Sequence, residues 1–271
     1  MTPPQNPAST AWKPLREEEE EEAGAPLVLA VDFAGSGRPE STFTALSPLL
    51  APGVTLWETR QPDPELARTF DGEDFVRFWA QAVRVTGRPV HAVLGYCVGG
   101  LYAARLAQLL SEGQDTPPRV VLFDPELPDV AGMTADFHAA VARLSSVLTP
   151  QEHALADRVA EEAARDFTTV AAFGAALTKS FAEIAHTAFA RAGLLTELAD
   201  ELTLTYEAFV SYIAAASAYD PAELWPNATA VTSPTADPNA RHAGHRVPVE
   251  VAHEDILRSR TTADTVNALL I

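Results

Sequence analysis

Cysteine is almost absent: Cys97 is the only one in 271 residues, which excludes an internal disulfide and any metal site built from several thiolates. Basic charge is scarce too, with 19 Lys and Arg against 37 Asp and Glu and a net charge of −18. A field of that sign repels phosphate backbones and anionic headgroups, so neither nucleic acid nor a membrane surface is an expected partner. No apolar run approaches the ~20 residues of a membrane span, and the N-terminus lacks the basic start and apolar segment of a signal peptide. These absences point to a cytoplasmic protein. Internal repeats are missing as well. What the chain does have is apolar content, 47% of its residues, enough to bury a sizeable core in one large domain or two small ones.

Residues 1–26 combine Pro3, Pro4, Pro7 and Pro14 with a run of six glutamates at 17–22, and this composition predicts a flexible acidic arm. A continuous apolar run at 27–31 reads as a buried strand, further strands are expected at 54–58, 90–95 and 120–123, and helical patterns at 42–50, 72–85 and 99–110 separate them. Strands alternating with helices imply a mostly parallel sheet with helices on both faces. The period then changes. From 134 to 219 the sequence is almost wholly helical, too long for one crossover, and is expected to form a lid inserted into a core made of 27–133 and 220–271. Further strands are expected at 228–232 and 247–251, with a closing helix at 261–270.

The segment that carries chemistry runs Leu94-Gly95-Tyr96-Cys97-Val98-Gly99-Gly100. An apolar strand enters Gly-x-Cys-x-Gly-Gly and an amphipathic helix starts at once, which is the pattern of a nucleophile elbow with sulfur in place of oxygen. Gly95 and Gly99 are required where a Cβ would collide with the neighbouring strand and helix. The helix start lowers the thiol pKa, because its partial positive charge favours the thiolate.

A thiol nucleophile needs a base, and the base needs an orienting carboxylate. Asp124 ends the next predicted strand, on the same carboxyl edge as Cys97, where open α/β sheets place their sites. His253 follows the last predicted strand on that edge, whereas His242 and His245 sit in a polar loop. His138, His153 and His186 fall on the helical insertion, and His91, in the strand feeding the elbow, is expected to satisfy a hydrogen bond in the core. The oxyanion of an acyl transfer needs two backbone donors, for which the N–H groups of Val98 and Ala34 are the candidates.

Four pieces of the sequence resemble the thioesterases of polyketide and nonribosomal-peptide biosynthesis: Phe33-Ala34-Gly35, Gly95–Gly100, Phe123-Asp124 and Ala252-His253-Glu254-Asp255. The resemblance spans about residues 27–271 and implies an α/β-hydrolase fold. It makes Cys97 the nucleophile, His253 the base, Asp124 the orienting acid, and Ala34 with Val98 the oxyanion hole. Most such thioesterases use serine; a stand-alone cysteine version resembles the Dieckmann cyclases that form tetramic acids or pyridones. The resemblance therefore implies a substrate carried on the phosphopantetheine of an acyl or peptidyl carrier protein, with no cofactor of the enzyme's own and no metal. On this reading His253 also helps remove the proton from the attacking carbon. A hydrolytic type II thioesterase is the alternative, and a non-catalytic acyl-binding protein a second one.

Overall fold

The computed structural model describes residues 10–16, 27–33 and 40–270. The chain divides into two compact units, one of residues 1–62, 72–127 and 218–271 and one of residues 63–71 and 128–217.

The first unit is built on seven strands: β1 (Trp12–Arg16), β2 (Leu27–Val31), β3 (Thr55–Thr59), β4 (Val90–Tyr96), β5 (Arg119–Phe123), β6 (Ala228–Thr232) and β7 (His245–Pro248). Their spatial order is β1-β3-β2-β4-β5-β6-β7. β1 runs antiparallel to β3, and every other neighbouring pair is parallel. The central strands are continuous Val, Leu and Ala runs because both of their faces are covered. On one face Val28, Leu56, Leu94, Tyr96 and Phe123 share a core with Phe43 and Leu46 of α1 (Phe43–Leu46) and with residues near the C-terminus such as Val266.

The second unit begins with α2 (Pro64–Ala67), and the first unit resumes with α3 (Gly72–Arg84) and α4 (Gly99–Ser111). Phe75 and Trp79 of α3 meet Tyr102 of α4, with ring centroids 5.7 Å apart in each pair. Four helices make up most of the second unit: α5 (Val130–Ala142), α6 (Pro150–Asp166), α7 (Val170–Ala192) and α8 (Thr196–Ala216). Their starts are written in the sequence. Asp129 and Thr169 accept from backbone N–H groups three residues on, and Thr149 with Glu152 forms a reciprocal capping box ahead of Pro150. Phe173, Phe181, Phe189 and Phe209 are buried inside this unit. Gly174 leaves room there for Val210, whose Cγ1 would sit 2.5 Å from a Cβ at that position. The first unit closes with α9 (Pro221–Leu224) and α10 (Arg260–Leu270). Among the described residues no helix is long and apolar enough to cross a membrane.

Three expectations need correction. The stretch expected as a wholly flexible arm contributes β1, because Trp12 is 1% exposed and its indole N–H donates to Trp79 O at 3.0 Å. Pro14 is tolerated there because the strand lies at the sheet edge, where a missing N–H breaks no inner ladder. The last strand is shifted from 247–251 to His245–Pro248, since its register is set by β6, Thr229 facing His245 and Thr232 facing Pro248. The helical unit starts at 128 and ends at 217, and it takes in 63–71, where Arg68 of that segment pairs with Glu207 of α8 at 3.9 Å. The glutamate run lies outside the described residues.

Candidate active site

β4 and β5 end side by side, Tyr96 facing Phe123, so the residues that follow them emerge together at the carboxyl edge. Those residues are Cys97 and Asp124, and both turn into the left-handed region, at φ 52° and φ 39°. The Cys97 N–H donates to Phe123 O at 3.0 Å and the Asp124 N–H to Val231 O at 3.0 Å, so each strained residue is held by the neighbouring strand.

The elbow needs its glycine for a measurable reason. A Cβ on Gly95 would lie 2.6 Å from Ala103 Cβ, 2.7 Å from Gly100 Cα and 2.9 Å from Gly99 O, all atoms of the helix that crosses the strand. The Cys97 carbonyl accepts from the Gly100 N–H at 3.0 Å and from the Glu126 N–H at 3.4 Å, tying the elbow to the loop after β5. Val98 precedes the first residue of α4. Ala34 lies outside the described residues.

His253 opens a 3₁₀ turn, His253–Arg258, that is pinned by Ser41: the Ser41 N–H donates to Glu254 O at 2.8 Å, and Leu257 N–H donates to Ser41 Oγ at 3.0 Å. Its Nδ1 lies 2.9 Å from Asp124 Oδ2, and Asp124, fully buried, uses Oδ1 to accept the Ser233 N–H at 2.6 Å. A carboxylate accepts only, so the imidazole carries its proton on Nδ1 and leaves Nε2 as the acceptor. Nε2 lies 2.9 Å from the Tyr96 hydroxyl, and the two rings stack with centroids 5.2 Å apart.

Cys97 is half-buried, and its thiol donates to Glu126 Oε2 at 3.3 Å. The Cys97 sulfur, a Glu126 carboxyl oxygen and a ring nitrogen of His253 all lie within 4.8 Å of one another. The structure thus brings Cys97, Asp124 and His253 together, and adds Tyr96 and Glu126. The sequence reading missed both. Strand parity puts Tyr96 on the face opposite Gly95, and Glu126 follows Asp124 by two residues, but neither position says which side chain it meets. The other histidines stand elsewhere: His91 Nε2 lies 2.9 Å from Leu270 O, and His245 opens β7 with an exposed side chain.

Burial opposes a charged imidazole at His253, but the Asp124 hydrogen bond, followed by the charges of Glu126, Asp124 and Glu40, outweighs it and raises the pKa above the usual histidine value. Burial also lifts the Glu126 carboxyl above the ordinary glutamate range. His253 and the thiol hydrogen bond pull it down, and Asp237 and Asp124 push it further up. A thiol, an imidazole oriented by a buried carboxylate, and a second carboxyl with a raised pKa form a set suited to acyl transfer with proton movement.

Among solved structures the chain is similar to the NocB thioesterase domain from the nocardicin cluster, 16% identical over 96% of this chain and 98% of that one, with a TM-score of 0.54. It is also similar to the Vlm2 thioesterase domain carrying a genetically encoded 2,3-diaminopropionic acid bound with a dodecadepsipeptide, 16% identical over 96% of each chain, TM-score 0.52. A four-domain nonribosomal peptide synthetase, AB3403, matches with a TM-score of 0.60 at 15% identity, where this chain covers 20% of that much longer one. No protein-family model matches the sequence, and neither does any curated protein. At these identities the likeness establishes the fold alone, an α/β-hydrolase fold with a mostly parallel sheet.

Proposed function

We propose that this thioesterase-type fold serves a cysteine-dependent Dieckmann cyclase. It takes a β-ketoacyl-aminoacyl chain from the phosphopantetheine thioester of an acyl or peptidyl carrier protein and releases it as a tetramic acid or pyridone. The observation that carries the reading is the placement of Cys97: at φ 52° on the strand-to-helix turn, half-buried, its sulfur within 4.8 Å of a His253 nitrogen.

In the first half-reaction His253 Nε2 exchanges its Tyr96 hydrogen bond for the Cys97 thiol and accepts the thiol proton, Asp124 holds the imidazolium, and Cys97 sulfur attacks the thioester carbonyl. The tetrahedral oxyanion is held by the Val98 N–H and by a second donor, for which Ala34 is the candidate. His253 then protonates the departing phosphopantetheine sulfur. In the second half-reaction the carbon between the two carbonyls attacks the Cys97 thioester within one molecule, so proximity replaces a bimolecular encounter. Sulfur suits this half. A thioester carbonyl is less resonance-stabilised than an oxygen ester and its thiolate leaves more readily, so a stabilised carbanion can displace it.

The names of the structural neighbours favour a second reading, hydrolysis of acyl groups from carrier proteins by the same three residues. One experiment separates the two. Purified protein incubated with a synthetic β-ketoacyl-aminoacyl thioester is expected to yield the tetramate, with Cys97→Ala inactive. Linear acid as the sole product, lost in the same variant, overturns cyclisation in favour of hydrolysis. A third reading, acyl binding without catalysis, predicts that iodoacetamide labels Cys97 no faster in wild type than in His253→Ala.

A further inference from the structure

We propose that Glu126 is the base that removes the proton from the attacking carbon and then returns it to Cys97 sulfur as the carbon–sulfur bond breaks. This rests on the cyclase reading and assigns to Glu126 a step that the sequence alone assigns to His253.

In the first half-reaction the thiol proton passes through His253 to the departing carrier thiolate, which leaves Cys97 acylated and the imidazole neutral. In the second, a C–H bond breaks, its electron pair forms the new carbon–carbon bond to the thioester carbonyl, and the C–S pair returns to sulfur. The proton leaves carbon and ends on sulfur, so no outside reagent is needed. The group that carries it must reach both atoms.

Glu126 meets that condition on geometry. Its Oε2 already shares a hydrogen bond with Cys97 sulfur at 3.3 Å, whereas His253 Nε2 lies 2.9 Å from the Tyr96 hydroxyl and its Nδ1 2.9 Å from Asp124. The Glu126 N–H to the Cys97 carbonyl, at 3.4 Å, keeps the two residues in register. The side chain is 37% exposed, so a substrate bound over the elbow can touch it. The environment suits the task. Burial and the neighbouring Asp237 and Asp124 hold the carboxyl above the usual glutamate range, while His253 and the thiol face it with the opposite effect. A base with a raised pKa accepts a carbon-bound proton better, and as an acid it still protonates a thiolate.

The test uses Glu126→Gln and follows the two half-reactions separately with the same synthetic β-ketoacyl-aminoacyl thioester. Intact-protein mass spectrometry reads the acylation of Cys97, and single-turnover product formation reads ring closure. The expected result is ring closure slowed about 10²- to 10⁴-fold, a loss well beyond any in acylation, with accumulation of the acyl-enzyme. Wild-type ring closure is expected to rise with pH as Glu126 loses its proton, a limb that the variant lacks. Glu126→Asp, which keeps the carboxyl, is expected to recover part of the rate. Ring closure at the wild-type rate in Glu126→Gln overturns the proposal. Equal losses in both half-reactions also overturn it, by making Glu126 a support of Cys97. If wild type releases linear acid alone, the cyclase reading falls and takes this proposal with it; if wild type cyclises and the variant keeps pace, this proposal alone falls.

Discussion

Asp124→Asn tests the site at its least forgiving point. Asp124 is fully buried, with Oδ1 accepting the Ser233 N–H at 2.6 Å and Oδ2 facing His253 Nδ1 at 2.9 Å. The asparagine has only one acceptor oxygen. Turning its NH₂ towards Ser233 would oppose two buried donors, at a cost of about 1–3 kcal/mol, so the amide oxygen stays on Ser233 and the NH₂ faces Nδ1. The imidazole must then carry its proton on Nε2, the atom that has to accept the thiol proton. The equivalent change in a serine-protease triad costs about 10⁴-fold, or about 5.5 kcal/mol of barrier, and acylation of Cys97 is expected to fall by a similar factor. A pH signature accompanies the loss. Wild-type acylation needs neutral His253 and so rises with pH through a pKa held above the usual value. The stability that His253 lends the fold has the opposite trend: it is complete below about pH 6.5, the unfolded value, and is lost as pH rises through the raised folded value. In Asp124→Asn both the limb and the stability difference shrink. The assay is acylation by the thioester, followed by mass spectrometry from pH 5 to 9, alongside thermal unfolding. Acylation within tenfold of wild type by a folded Asp124→Asn protein refutes the assignment of His253 and Asp124.

Three further outcomes follow from packing and burial. Gly95→Ala places a methyl 2.6 Å from Ala103 Cβ and 2.7 Å from Gly100 Cα, neither of which can rotate away, and is expected to destabilise by about 1–3 kcal/mol or more in denaturant titration; an unchanged midpoint contradicts the close approach at the elbow. Trp12→Ala empties a fully enclosed indole site on β1 and is expected to cost about 3–5 kcal/mol, whereas a flexible arm predicts no change. Glu58, buried on β3, has its carboxyl pushed up to about 7, first by burial and then by Asp32, against the pull of Lys13 at 3.7 Å. A carboxyl with a raised folded pKa favours the fold while protonated, so stability is expected to fall as pH rises from about 4.3 through 7, with a shallower fall in Glu58→Gln. Equal slopes in denaturant titrations at several pH values remove Glu58 from the account.

The core strands were legible because they are buried on both faces: β2 falls where an unbroken apolar run places it, β6 falls at the expected 228–232, and β3, β4 and β5 lie within a residue or two of their expected bounds. Such runs need no partner to be recognised. β1 was not legible, because a strand at the sheet edge anchored by one tryptophan, amid prolines and next to glutamates, has no periodicity to read. The elbow was legible because glycine, cysteine and a strand-to-helix transition occupy fixed offsets. Glu126 and Tyr96 were not. Nothing in Asp124-Pro125-Glu126 says that the chain turns back to place the Glu126 N–H on the Cys97 carbonyl, and nothing in a strand tyrosine says that a loop more than 150 residues later will set an imidazole on its ring. Motifs encode local geometry, and contacts across the sheet edge are set only once its register exists.

Backbone strain supplies an argument for the site that is independent of any motif. Among the described residues the non-glycine positions with positive φ are Cys97 and Asp124, at the ends of adjacent parallel strands. Left-handed backbone at such residues costs of order 1–3 kcal/mol each and persists only where the surroundings over-determine it. Here they do so through the Phe123 and Val231 carbonyls. A glycine at either position would relieve the strain and lose the side chain. A sequence that keeps a thiol at one and a carboxylate at the other, beside an imidazole that bonds to that carboxylate, maintains a cost that packing does not require. Stability alone gives no reason for it, and chemistry at the sulfur does.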